Sequence, residues 1–172
     1  MTLPAGDRPF YREVQHFRQP WLWGLILGIA LVGIWSFVQQ IMLGRPFGNN
    51  PAGDLELIII TVLVSLVMPY VFYRMNLTTE VRADGIYYRF FPLHLSFQRI
   101  ALEDIIASEA VTYRPLREYG GWGIRYGRGG KAYNVSGNRG VRLELSRGSH
   151  LLFGSRRPEE FAEAVRKAIA SR

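Results

Sequence analysis

Trp21-Leu-Trp-Gly-Leu-Ile-Leu-Gly-Ile-Ala-Leu-Val-Gly-Ile-Trp-Ser-Phe-Val-Gln-Gln-Ile-Met-Leu43 carries no charged side chain, and a second apolar run, Leu55 to Phe72, has its single charge, Glu56, near its start. At about 1.5 Å of rise per helical residue the runs extend roughly 34 Å and 27 Å, against a bilayer hydrocarbon core of about 30 Å. Only Gly44 to Asp54 separates them. The pattern predicts a transmembrane helical hairpin over 21–73, with spans at 21–43 and 55–72. The first run exceeds a signal-peptide core and ends in Gln39-Gln40-Ile41-Met42, without a small-residue cleavage pattern, so a retained span is expected.

The flanking charges orient that hairpin. Arg8, Arg12 and Arg18 precede the first span and Arg74, Arg82 and Arg89 follow the second, while the connecting loop holds only Arg45. Cations concentrate on the cytoplasmic side of membrane proteins, so the expectation is a cell-membrane protein with both termini cytoplasmic. Arg12, Arg18, Trp21 and Trp23 at one end, with Tyr70, Tyr73 and Arg74 at the other, are the expected interface anchors. In the cytoplasmic segment 1–20, Phe10, Val14 and Phe17 fall at helical spacing, which suggests an interfacial helix. Gly24 and Gly28 form one pair of small residues four apart, and Thr61 and Ser65 another. Such faces let backbones approach, either within one hairpin or between two copies in a homodimer.

Beyond the hairpin the period changes from helical to alternating. Strands are expected near Leu77–Arg82, Ile86–Phe91, Leu95–Ile100, Ile105–Tyr113, Trp122–Tyr126, Ala132–Val135, Val141–Leu145 and Leu151–Phe153, punctuated by turns such as Asp84-Gly85 and Arg147-Gly148. A closing helix starts at Pro158 with Glu159 and Glu160 in its first turn and Arg166 and Lys167 near its end, which complements the helix dipole. Phe161, Val165, Ala168 and Ile169 share one face, which must be buried against the preceding sheet. A cytoplasmic domain over 76–172 is therefore expected to be mainly β, a bent barrel or sandwich of about seven strands closed by a C-terminal helix.

Tyr119-Gly-Gly-Trp-Gly-Ile-Arg125, Tyr133-Asn-Val-Ser-Gly-Asn-Arg-Gly-Val141 and Leu151-Leu-Phe-Gly-Ser-Arg-Arg-Pro-Glu-Glu-Phe161 resemble the later strands and closing helix of bacterial pleckstrin-homology-like domains. Glu13-Val-Gln-His-Phe-Arg-Gln-Pro-Trp-Leu-Trp23 is similar to the start of an uncharacterised family of small two-span membrane proteins that carry such a domain. The resemblance covers most of the chain and implies a fold. It supplies no catalytic residue.

The residues themselves point away from chemistry. The 172-residue chain has no cysteine, which removes disulfides and thiolate nucleophiles, and His16, His94 and His150 lack ligand spacing. No cofactor, metal or enzymatic activity is expected. Of its 21 Lys and Arg residues four precede residue 73, so the net charge of +7 belongs to the C-terminal part. Arg114, Arg117, Arg125, Arg128, Lys131 and Arg139 make a candidate surface for anionic lipid headgroups or a protein partner. The glycine-rich stretch Gly120 to Lys131 reads as a long hairpin, with an anion-binding loop as the alternative; Arg125 and Ala132 occupy positions where a nucleotide-binding loop needs glycine and a hydroxyl. Tethering and the lack of a nucleic-acid motif argue against nucleic acid. The expected function is a non-enzymatic interaction module with a protein partner at the inner face of the bilayer. The competing roles are an accessory subunit of a transporter or membrane enzyme, packed through its hairpin, and an anionic-lipid surface sensor.

Overall fold

The computed structural model describes residues 9–127, 129–146 and 148–171. The chain divides into two compact units, and the division is not the one expected from the order of the sequence. Residues Phe17–Met75 make one unit; the N-terminal residues through His16 join Asn76–Arg172 in the other. The sheet unit is therefore not the contiguous 76–172.

In the first unit, α1 (Pro20–Phe37) runs on into a π-helical turn, Val38–Met42. The return leg is α2 (Asp54–Val62), a second π-helical turn, Leu63–Val67, and α3 (Met68–Arg74). Pro69 accounts for the second widened turn, because its ring clashes with the carbonyl four residues back and it has no amide hydrogen to donate. The two continuous helices, Pro20–Met42 and Asp54–Arg74, are each long and apolar enough to cross a membrane. Only 22% and 6% of their apolar windows are buried, whereas the core helices of a water-soluble fold are mostly buried.

Their seam differs from the expected one. Ile26, Ala30, Gly33 and Ser36 are the buried residues of α1. Ser65 Oγ donates to the Ala30 carbonyl at 2.9 Å and Thr61 Oγ1 to that of Gly33 at 3.3 Å. A Cβ on Gly33 would lie 2.8 Å from Val64 Cγ2 and 3.0 Å from Ser65 Oγ, so glycine is what lets the helices meet there. Gly24 and Gly28 face open space. Within the hairpin, Thr61 and Ser65 meet Ala30 and Gly33, and this contact leaves the Gly24–Gly28 face unused. At the loop end, Gln40 Nε2 donates to the Ala52 carbonyl at 2.8 Å and to Asp54 Oδ1 at 2.9 Å.

The second unit holds two sheets. The segment expected to be an interfacial helix is instead the extended strand β1 (Tyr11–His16). It turns Tyr11, Glu13 and Gln15 inward and pairs antiparallel with β2 (Asn76–Arg82). β3 (Gly85–Phe91) and β4 (Gln98–Ala101) complete a four-stranded antiparallel sheet in chain order. A 3₁₀ turn at Leu102–Asp104 then carries the chain to β5 (Ile105–Thr112), the short α4 (Pro115–Tyr119), β6 (Gly123–Gly127), β7 (Gly130–Asn134), β8 (Arg139–Leu145) and β9 (His150–Gly154). These strands form a five-stranded sheet ordered β5-β8-β9-β7-β6, in which β7 and β9 run parallel. The described residues thus form nine strands in two sheets, where a bent barrel or sandwich of about seven was expected, and no closed barrel forms among them.

The last element, α5 (Pro158–Ala170), begins at the expected proline and buries Phe161, Val165 and Ala168 of its stripe, while Ile169, in the last turn, is exposed. The Phe161 ring stacks on Tyr11 at 4.9 Å and lies 6.1 Å from Phe153, which joins β1, β9 and α5 in one core. Tyr88 closes the gap between the sheets, 4.8 Å from Tyr133 and 5.0 Å from Phe153. On the back of the five-stranded sheet a second small core forms, where α4 folds Tyr113 and Tyr119 over Ala132 and Leu152.

Candidate functional site

β1 ends at His16 and β2 begins at Asn76, and these two residues are cross-strand partners. The helical hairpin is therefore an insertion into a β-hairpin: everything from Phe17 to Met75 takes the place of a turn. The chain enters and leaves the sheet unit at one edge of one sheet, through two adjacent strands.

A buried polar clasp locks β1 in place. Glu13, 7% exposed, accepts hydrogen bonds from Tyr11 Oη, from Ser155 Oγ at 2.7 Å and from the Arg156 amide at 2.9 Å. Ser155 Oγ in turn accepts the Arg157 amide at 3.0 Å, and Gln15 Nε2 donates to the Gly154 carbonyl at 2.7 Å. Burial, and then the hydrogen bond to Glu13, push the Tyr11 phenol well above its usual range. Ser155 Oγ donates to the carboxylate, so the group joins β1 to the β9–α5 junction. No sequence signal marked it, because Phe10, Val14 and Phe17 fall at helical spacing and the inward-facing Glu13 and Gln15 are polar. Among the described residues no group of three or more His, Asp or Glu is placed to hold a metal ion.

The candidate cations do not converge. Arg125 shares a sheet face with its partner Ala132, whereas Lys131 shares the opposite face with Tyr126. The Lys131 ammonium lies 5.2 Å from the Tyr126 ring and 4.9 Å from the Tyr133 ring, a cation–π contact. Arg125 Nε donates to the Trp122 carbonyl at 3.0 Å, and Arg139 forms an ion pair with Glu159. Arg114 and Arg117 are exposed beside and within α4, and Arg128 lies outside the described residues. The glycines around it serve packing. A Cβ on Gly127 would lie 2.1 Å from the Glu118 carbonyl and 2.9 Å from Tyr119, which leaves the hairpin reading of this stretch as the supported one.

The expected interface anchors divide as well. Arg12, its side chain 62% exposed, pairs with Glu80 at 3.2 Å within the sheet, and Glu80 also holds Arg82 at 2.6 Å. Arg18 and Arg74 are exposed, and Trp21, Tyr70 and Tyr73 are 58%, 63% and 71% exposed. Trp23 donates its indole hydrogen to the Phe17 carbonyl at 2.8 Å and so ties the lead-in segment to α1.

A family model described as "Family of unknown function (DUF6141)" matches residues 5–172, nearly the whole chain. The chain belongs to that family. No curated protein matches it. In this DUF6141 chain the apolar hairpin is inserted between two paired strands, and the Glu13 clasp ties the first of those strands to the β9–α5 junction.

Proposed function

We propose that the chain is a membrane-anchored interaction module without catalytic activity, which presents its two-sheet unit, a pleckstrin-homology-like bent sandwich closed by α5, at the inner face of the cell membrane. The observation that carries this reading is the insertion of an apolar hairpin between register-paired strands. If the hairpin spans the bilayer, strand pairing requires the N-terminal strand and the C-terminal unit to share one side, in agreement with the cation distribution. Two adjacent covalent connections also restrain the unit more than one flexible tether does.

The partner is another membrane protein or an extended peptide, added to an open sheet edge. β5 favours that mode: it is the longest strand, it lies at the edge of its sheet, and Ile106 is 62% exposed on it. A second reading, an accessory subunit packed through its hairpin, is favoured by Gly24 and Gly28, whose face is not used within the hairpin. Photo-crosslinking residues placed singly at Ile106 and Leu25 in intact membranes separate the two. Adducts through Ile106 are expected; adducts through Leu25 with none through Ile106 overturn the module in favour of the subunit.

A further inference from the structure

The β3–β4 connection, residues 92–97, carries the most exposed large hydrophobic side chain among the described residues, Leu95 at 79%, together with Leu93 at 64%. Neither is loosely displayed. Between them His94 is tucked inward: its amide donates to the Phe90 carbonyl at 2.8 Å, and its ring meets Tyr88 at 5.9 Å and Tyr133 at 5.8 Å. Behind the loop the Arg89 guanidinium lies over Phe97 at 4.9 Å and Phe91 at 5.9 Å. With His94 and Phe97 fixed, Leu93 and Leu95 are held outward.

Their place in the sheet gives the display a meaning. Phe91, the last residue of β3, pairs with Asn76, the first of β2, and Asn76 pairs with His16, the last of β1. The three strands end on one line. From two of those ends the chain departs into the apolar hairpin, and from the third the Leu93–Leu95 loop departs. Neighbouring strands lie about 4.8 Å apart, so the loop leaves the sheet only about 10 Å from His16. Opposite, at the Arg82–Gly85 end of the same sheet, the turn is polar, with Asp84 paired to Arg99. Next to the loop's His94, across the Tyr133 ring, stand Lys131 and Tyr126, the latter 76% exposed.

We infer that the β3–β4 loop is a membrane-dipping element, with Leu93 and Leu95 seated in the headgroup–acyl boundary and Tyr126 and Lys131 at headgroup level beside it. Aliphatic tips flanked by tyrosine and a cation match the chemistry of that boundary. Lipid is favoured over a protein occupant because a bilayer reached through the adjacent strands is present at saturating local concentration, whereas any protein must still bind. The loop is a third point of attachment beside the two covalent ones, and it fixes how the sheet unit is presented.

This inference rests on the reading that the hairpin spans the bilayer, and one experiment separates the two. The chain has no cysteine, so single-cysteine variants of the full-length protein carry a spin label at one site only. Labels are placed by Leu93→Cys, Leu95→Cys, Ala83→Cys at the opposite sheet end, and Leu31→Cys within α1, in bilayers of phosphatidylcholine and phosphatidylglycerol without other protein. Leu93, Leu95 and Ala83 are exposed, so their replacement removes no packing. The ratio of oxygen to nickel-chelate accessibility is expected to be several-fold higher at 93 and 95 than at 83. A label at 95 no deeper than the one at 83, with the label at 31 buried in lipid, overturns the dipping loop and leaves a protein partner to cover those leucines. A label at 31 exposed to the nickel chelate overturns the spanning hairpin itself.

Discussion

The helices α1 and α5 both carry long apolar surfaces, yet they settle them in opposite ways. α5 is amphipathic and hides Phe161, Ala162, Ala164, Val165 and Ala168 inside the sheet unit, with charged residues outward. α1 buries only Ile26, Ala30, Gly33 and Ser36, and leaves Leu25, Leu27, Leu31, Val32 and Trp35 between 51% and 66% exposed. One helix has found its solvent inside the protein; the other leaves apolar surface uncovered on most of its circumference. The contrast shows what interruption does: charged residues at helical spacing confine the apolar surface of α5 to one stripe that a sheet can cover, whereas the uncharged run of α1 is apolar all round.

The largest test of that contrast is to cut a ring out of α5. Phe161→Ala removes an aromatic ring that is fully buried and stacked on Tyr11, and should destabilise the sheet unit by about 3–5 kcal/mol in detergent-solubilised melts. Leu31→Ala in α1 should change the same transition by less than about 0.5 kcal/mol. Equal effects would erase the distinction. A second route uncovers α5 from its N-terminal end. Glu13→Ala leaves Tyr11, Ser155 and the Arg156 amide without their acceptor, a loss of about 1–3 kcal/mol that hydrogen exchange should register as lost protection of β1.

Within α1 the comparison sharpens to two glycines. Gly33→Leu must push Val64 and Ser65 away and should cost about 1–3 kcal/mol of hairpin packing, read as a fall in disulfide yield between cysteines placed at Ala30 and Ser65. Gly28→Leu, facing open space, should leave that yield unchanged. The smallest effect is acid sensitivity, to which neither helix's apolar surface contributes. Burial, and then the charge of Lys131, hold His94 below the usual histidine value of about 6.5, so the unfolded chain takes up the proton first. Stability should fall slightly as pH drops below about 6.5. His94→Gln should remove that increment from the difference between melts at neutral and acid pH.

Much of the architecture could be read in advance because it depends on local patterns. Asp84-Gly85, the alternation from Leu77 onward, and Pro158 with its acidic first turn are signals of this kind, and β2, β3, β8 and α5 lie within two residues of their expected bounds. β1 was missed because its inward residues, Tyr11, Glu13 and Gln15, are mostly polar, while Phe10, Val14 and Phe17 mimic a helical face. Gly24 and Gly28 match a packing motif, whereas the seam within the hairpin follows the seven-residue step from Ile26 to Gly33 with Ala30 between, a choice among small residues that depends on the facing helix. The parallel union of β7 with β9, and the scattering of the cations over both sheet faces, depend on tertiary pairing that no local pattern encodes.

Because His16 and Asn76 face each other across a ladder, the intervening 59-residue hairpin can in principle be excised and the cut ends sutured. Opposed residues on antiparallel strands lie about 4.5–5.5 Å apart, a gap that an Asn-Gly turn closes. The spliced chain should be a water-soluble, monomeric domain with dispersed amide resonances, whereas a fragment beginning at Asn76 should lack the strand that seals its core. On the ribosome the natural chain faces the reverse problem: its first strand must be kept waiting, unpaired, until both helices and the strand that receives it have been made.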